Sequence, residues 1–311
     1  MPSLTTIFEA SSIEAYAEAF GPDWNTQCRQ LSAGPFSFTE KRIDLEGIAL
    51  CWDSFASSVQ AIQTRKSPGL SLTLPLTDTP PAIVQCRELD TSNAILLLPG
   101  STLHYTAPIG FEAFTVDIHH RMLSSSIPPT EAHPIAAIAS SDREKLLELA
   151  LYMSQQLESM LSPSPNELSH WRQQILQHLN PILDCFSPSK KSKSIHKALH
   201  SDALIKSIQG YLADWKSDTP PSITSMSKEL GISSSTAYRL FQKWCGTSPY
   251  KFHLIERLHH FRKSLILGPH TRGAVTEAAS SAGFSDYNRA IQHYKHFFGE
   301  TPTQTLASVG K

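Results

Sequence analysis

Two sets of side chains in this sequence have types and spacing suited to chemistry. The first is His104, His119 and His120, with Glu112 between them, residues able to ligate iron, manganese or zinc. An H-x-H pair followed closely by a glutamate is missing, so satisfied or exposed histidines are the better reading and neither a metal nor another cofactor is expected. The five cysteines (28, 51, 86, 185, 245) are scattered, forming neither a C-x-x-C zinc pattern nor a disulfide framework nor a clustered thiolate site. The second set is Ser234, Ser235, Tyr238, Arg239 and Gln242, followed by Asn288, Arg289, Gln292 and Lys295. Arginine bonds bidentately to a guanine edge and glutamine to an adenine edge, whereas lysine clamps phosphate. Arg239 suits either guanine or phosphate, Gln292 suits adenine, and Arg289 and Lys295 suit phosphates.

These residues need rigid elements to carry them, and an internal repeat supplies these. Ser227-x3-Gly231-Ile232-Ser233 recurs as Ala279-x3-Gly283-Phe284-Ser285, displaced by 52 positions. Phe241 then pairs with Tyr294, and Gly246-Thr-Ser-Pro249 with Gly299-Glu-Thr-Pro302, displaced by 53, so one residue has been inserted between. In each copy a small residue permits close helix crossing, and a glycine supplies the left-handed turn that ends the first helix. An apolar residue then plugs the core, and a serine (233, 285) can cap the next helix. This is the helix-turn-helix pattern, whose second helix enters the DNA major groove. Ser222 and Thr276, near helix starts, could also offer backbone amides to phosphates.

The copies are joined by a predicted helix over 249–267, started by Ser248-Pro249 and stopped by Gly268-Pro269. Leu254, Leu258, Phe261 and Leu265 form one stripe on it. Its length, about 28 Å at roughly 1.5 Å per residue, suits two reading helices set near one DNA turn apart, on the order of 34 Å. Charge agrees. From Asp202 onward there are thirteen Lys/Arg against eight Asp/Glu, a net of +5 in a chain whose total is −1.

The preceding residues read differently. Ile43–Trp52, Leu70–Leu76, Ala82–Val84, Ala94–Leu98 and Phe111–Ile118 read as strands separated by turn signals, which suggests a β-barrel or sandwich over about 33–119. Helical periodicity follows in Leu146, Ala150, Met153, Leu157 and Leu161, then in Leu168, Trp171, Ile175, Leu179, Ile182 and Phe186. The resulting αα-hairpin, within about 141–186, either covers the barrel or pairs with a second copy of itself. Ser187–Ser194, polar and lysine-bearing, reads as an exposed linker. The chain thus reads as α+β with two domains: 1–186, a linker at 187–201, and an all-α unit at 202–311 with helix-turn-helix motifs at about 222–244 and 274–298. The longest aliphatic run, Ala94–Leu98, is far below the roughly 20 residues of a membrane span, and no basic-then-apolar leader opens the chain.

At this point the residues resemble a known family. The segment 204–306 is similar to the DNA-binding domain of the AraC/XylS transcription regulators. Tyr238-Arg-Leu-Phe241 with Gly246-Thr-Ser-Pro249 resembles that family's first reading helix, and Leu254-x2-Arg257-Leu258 its linker helix. Ala279-x3-Gly-Phe284-Ser-Asp286 and Phe298-Gly-Glu-Thr-Pro302 resemble its second half. Three residues depart from the pattern: Phe261 replaces a small alanine, Ala290 an aromatic residue, and Gln292 a frequent arginine. More loosely, the N-terminal part resembles the cupin-like effector domains of such regulators. The resemblance implies a non-enzymatic, cytoplasmic regulator of promoter DNA under a small-molecule effector, meeting RNA polymerase if an activator, and it allows a homodimer through 146–186. The alternative from a different class is a cupin-type metal-dependent enzyme with a DNA-binding or regulatory tail.

Overall fold

Alternation along β11 (Phe111–His119) sets the architecture of the N-terminal unit. Phe114, Val116 and Ile118 lie on one face and are fully buried, whereas Ala113, Thr115, Asp117 and His119 lie on the other. Its neighbours repeat the division. Ile48 and Leu50 oppose Cys51 and Asp53 on β4 (Ile48–Phe55), and Leu70, Leu72 and Leu74 oppose Ser71 and Thr73 on β6 (Gly69–Pro75). A computed structural model describes residues 4–123, 134–159, 163–186, 203–204, 207–208, 210–211, 222–269 and 271–309. The expected linker at 187–201 lies outside the described residues.

The other strands are β1 (Thr5–Ala10), β2 (Trp24–Gln30), β3 (Phe38–Asp44), β5 (Val59–Arg65), β7 (Ala82–Val84), β8 (Arg87–Leu89), β9 (Asn93–Leu97), β10 (Thr102–Ala107) and β12 (Ile135–Ala137). An antiparallel seven-stranded sheet, in the order β1-β3-β4-β11-β6-β9-β12, faces a five-stranded one, β2-β5-β10-β7-β8. Sequence periodicity does not reveal β1 and β2, and it reads Ile43–Trp52 as one strand. The structure turns that run at Glu46-Gly47, both with positive φ, splitting it between β3 and β4.

The apolar face of the larger sheet is covered by α2 (Ser140–Ser159) and α3 (Pro165–Asp184). Leu146, Ala150, Met153, Trp171, Ile175, Leu179 and Ile182 pack there with Leu50, Leu72 and Val116 in one core. The helical stripes are therefore satisfied by their own sheet, the first of the two arrangements their periodicity allows. Ser164 and Glu167 form a reciprocal capping box that starts α3, and Arg143 donates to the Pro75 carbonyl at 2.8 Å.

A short helix, α1 (Ile13–Ala19), follows β1 in the chain and packs Tyr16 against Phe38, Phe55 and Tyr105. The C-terminal unit is all-helical: α4 (Ile223–Glu229), α5 (Ser234–Cys245), α6 (Pro249–Leu267), α7 (Ala274–Ser281), α8 (Tyr287–Phe298) and α9 (Pro302–Val309). Its core gathers Met226, Phe241, Trp244, Phe252, Leu258, Phe261, Ala279, Tyr294 and Phe298.

Since Ile175 is fully buried between hairpin and sheet, Ile175→Ala is expected to cost about 3 kcal/mol through lost burial and the cavity left behind. Urea unfolding of the full chain checks this; a loss under about 1 kcal/mol would show that the hairpin is not part of this core.

Candidate nucleic-acid interface

Each helix-turn-helix is built by local signals. Ser222 caps α4, accepting from the Ser225 amide, and Gly231, with φ 65°, turns the chain into α5. Ser233 then accepts from the Thr236 amide at 3.1 Å. Gly283, with φ 82°, makes the second turn, but here the cap is Asp286, accepting from the Arg289 amide at 3.0 Å. The expectation of a Ser285 cap is thereby corrected. Because α5 and α8 start and end 53 residues apart, the inserted residue lies in this second turn, and the cap passes to the next side chain. Both reading helices end on left-handed glycines, Gly246 and Gly299.

The linker helix α6 holds the two units together. Phe252, Ile255, Leu258, Phe261 and Leu265 are buried against them, while Leu254 is only partly covered. Phe261, bulky where the resemblance leads one to expect alanine, meets Tyr294 edge-on at 5.0 Å between ring centres and Phe284 at 6.1 Å. Ala290 is fully buried, so its small side chain belongs to the same repacking. Arg257 donates from Nε to the Ala282 carbonyl at 3.0 Å and from Nη2 to that of Gly283, with its guanidinium 4.0 Å from the Phe284 ring centre. It thus satisfies carbonyls freed at the end of α7.

The sequence-selected side chains lie as follows. Ser234, Ser235, Tyr238 and Arg239 are exposed along the N-terminal part of α5, and Gln242 is half-buried, with Nε2 3.4 Å from the Tyr238 hydroxyl. Asn288, Arg289, Gln292 and Lys295 are exposed on α8, where Arg289 Nε lies 3.3 Å from His293 Nε2. Thr276 lies in the first turn of α7, which has no side-chain cap.

The sandwich docks elsewhere. Gly34 donates its amide to the Phe297 carbonyl at 2.9 Å, and Thr106 Oγ1 donates to the Trp244 carbonyl at 2.9 Å, both near the C-terminal ends of the reading helices. A further face of α6 meets α1 and β2. Arg262 pairs with Glu14 at 2.9 Å and with Glu300, Glu256 pairs with Arg29, and His259 Nε2 donates to the Gln30 carbonyl at 3.0 Å. Sequence reasoning missed this contact face, because its charged residues look like an ordinary solvated side of α6.

Between the sheets lies a cavity of about 570 Å3, lined by residues of both sheets and by Tyr16, Ala19 and Phe20 of α1 or its end. This too was missed, although polar residues at alternate positions of otherwise apolar strands were a usable signal. Tyr16 and Tyr105 share a 2.5 Å hydrogen bond at its wall, and burial, reinforced by Tyr105, holds the Tyr16 hydroxyl well above its ordinary pKa. Burial also raises the Asp53 carboxyl well above the usual carboxylate range, with repulsion from Glu40 and Asp117 adding to it. Glu40 is raised by burial as well, against the pull of Arg42.

The four sequence candidates for a metal do not meet. The His119 and His120 ring centres lie 4.3 Å apart with the rings tilted by 44°, but Glu112 lies on the opposite face of β11 from His119, and His104 belongs to the other sheet. Among the described residues no three His, Cys, Asp or Glu side chains gather as a metal-ligand group.

Residues 226–308 match the family described as a helix-turn-helix domain. The C-terminal unit is an AraC-type helix-turn-helix domain. A curated relative, the "Probable thc operon regulatory protein" of Rhodococcus erythropolis, is 30% identical over 90 residues, which cover 29% of this chain and 27% of the relative. The match therefore spans about a quarter of that protein's length. Among solved structures, a probable AraC family transcriptional regulator from Rhodopseudomonas palustris CGA009 is 33% identical, covering 34% of this chain and 97% of that one, with a TM-score of 0.29. The AraC-like transcriptional activator CuxR is 10% identical, covering 90% and 100%, at a TM-score of 0.40. ToxT from Vibrio cholerae is 11% identical, covering 92% and 98%, at 0.29.

Two predictions test how the AraC-type domain is held. Arg257→Ala is expected to destabilise the chain by about 2 kcal/mol, since it strips a charged donor from buried carbonyls; thermal unfolding reads the loss, and an unchanged midpoint would refute the capping role. His259 has its pKa lowered by burial, so the folded chain binds fewer protons there than the unfolded one. The stability it contributes is complete above about pH 6.5, the unfolded value, and declines as pH falls from there toward the lower folded value. Unfolding free energy measured across that window should fall more steeply for the native chain than for His259→Gln.

Proposed function

We propose that this chain is a sequence-specific transcription regulator whose two helix-turn-helix units read promoter DNA, with an effector in the sandwich controlling them. One observation carries the reading: a duplicated helix-turn-helix presents two exposed sets of base- and phosphate-seeking side chains, in the segment that bears the net positive charge. Arg239 reads a guanine edge and Gln292 an adenine edge, while Arg289 and Lys295 hold phosphates. Ser234, Ser235, Tyr238, Gln242 and Asn288 complete the two faces. The chain works in the cytoplasm, where its DNA is, and it contacts RNA polymerase if it activates. No helix among the described residues is long and apolar enough to cross a membrane.

Effector control is favoured by the position of α1. Tyr16 lines the cavity while Glu14, on the same helix, pairs with Arg262 of the linker helix. Occupancy of the cavity therefore acts two residues along α1 from the ion pair to the rod that spaces the reading helices. The enzyme alternative draws no support from the histidines, which face different ways. If a homodimer forms, the outer side of α2 offers Leu151 and Tyr152, each more than half exposed. The domain division at 1–186, 187–201 and 202–311 remains part of this reading.

The test is selection of duplexes from a random pool by the purified full chain, followed by anisotropy titrations. Selected sites should carry two conserved segments about one helical turn apart, with affinity falling steeply as salt rises. Arg239→Ala should weaken them by about 1–3 kcal/mol and relax preference at one position, whereas Lys295→Ala should weaken all duplexes alike and lower the salt slope by about 1. Failure to enrich any duplex would overturn the reading.

A further inference from the structure

The cavity wall contributed by the larger sheet carries more charge than a packed core tolerates. Glu40 and Arg42 on β3, Asp53 on β4 and Asp117 on β11 all line it, and Arg65 reaches in from β5. Asp117 is fully engaged: Arg65 Nη1 lies 3.0 Å from its Oδ1, Arg42 Nη1 3.8 Å from its Oδ2, and Ser71 donates to it. Arg65 is thus directed at that carboxylate, while Arg42 Nη1 also lies 3.4 Å from Cys51 Sγ and its charge pulls on Glu40 and Asp53 without forming an ion pair with either. Among the described residues Asp53 accepts only from Thr115 Oγ1, at 3.3 Å, and neither Asp53 nor Glu40 forms an ion pair. Register makes Glu40 and Asp53 direct cross-strand partners, and the next inward pair on the same strands is Phe38 with Phe55. Those two rings, 4.9 Å apart, meet Tyr16 at 4.7 and 5.9 Å. Two carboxyls that form no ion pair among the described residues therefore border an aromatic wall.

The opposite wall has the complementary deficit. Gln63 is 5% exposed and lines the cavity, yet its Nε2 donor has no partner, and neither has Arg65 Nε. A buried donor left unmade costs about 1–3 kcal/mol, so this face is arranged for an acceptor that arrives from elsewhere. At about 570 Å3 the space suits one small molecule.

We propose that the cavity takes a protonated amine on an aromatic body bearing a hydrogen-bond acceptor, the ammonium seated between Glu40 and Asp53, the ring against Phe38, Phe55 and Tyr16, and the acceptor toward Gln63. This rests on the reading of the sandwich as an effector domain and gives that effector a chemical class. The ammonium supplies the charge that the carboxyl pair lacks, and the neighbouring rings add cation–π attraction.

Three probes sharing one hydroxyphenyl body and differing only in the head separate the possibilities: tyramine (ammonium), tyrosol (hydroxyl) and desaminotyrosine (carboxylate). Calorimetric titration of the full chain at millimolar probe should show tyramine binding at least about tenfold more tightly than either of the others. Asp53→Asn, isosteric with the neutral carboxyl, should fold normally and lose tyramine on the order of a hundredfold while leaving tyrosol unchanged. Glu40→Gln is the second variant, should the first fold poorly. Preferred binding of desaminotyrosine, lost in Arg42→Gln, would overturn the amine assignment and leave the effector cavity standing. No binding of any probe would overturn the amine assignment and withdraw support from the effector cavity together, with DNA binding by the same preparation reporting separately on the regulator reading.

Discussion

One cylinder, α6, has to satisfy two different sets of neighbours, and the arrangement of the whole chain follows from how its faces are divided. Its apolar stripe must bury against both helix-turn-helix units, since neither short helical pair encloses a core alone. Its Glu256, His259 and Arg262 succeed one another at three-residue steps, which places them on a single flank. That flank accepts the sandwich through ion pairs and a histidine-to-carbonyl bond. Arg262 shows how firmly. Burial alone would lower its pKa, but Glu14, Tyr294 and Glu300 hold it above the ordinary value. The residue is therefore a fixed cation joining α1, α8 and the loop that precedes α9.

The N-terminal unit divides its larger sheet by the same logic. One side of β4, β6 and β11 is aliphatic and receives the α2–α3 hairpin; the other side of the sheet carries Glu40, Asp53, Thr115 and Asp117 toward the second sheet. In an ordinary two-sheet sandwich the inner faces interdigitate and fill the space between them. Here one aliphatic core lies outward beneath the helices, and between the sheets apolar packing by Val59, Leu97, Leu103 and Phe111 still leaves room for the cavity and its charged wall.

How much of this was legible in the sequence depends on how local the signal is. The helix-turn-helix copies were readable because glycine turns, capping residues and apolar spacing act within a dozen residues. Their outward side chains followed from the same periodicity, and all nine lie on α5 and α8, with only Gln242 half-buried. The cap at Asp286 was misjudged by one position, since an insertion cannot be located by pattern alone inside a turn. β1 escaped notice because it is an edge strand with little to bury, Ile7 being 66% exposed. The pairing of Glu40 with Asp53 required the β3–β4 register, which a continuous apolar reading of 43–52 concealed. The contact face of α6 required partners more than two hundred residues away.

Main-chain atoms do much of the docking between the two units. The Trp244 and Phe297 carbonyls take hydrogen bonds from the sandwich at the far ends of the reading helices, whereas the side chains that face solvent begin near the opposite ends. A carbonyl is present whatever residue bears it. On the proposed reading, operator preference drifts through changes at Ser235, Arg239 or Gln292 without renegotiating the attachment to the sandwich, and ligand choice and operator choice then diverge independently in descent.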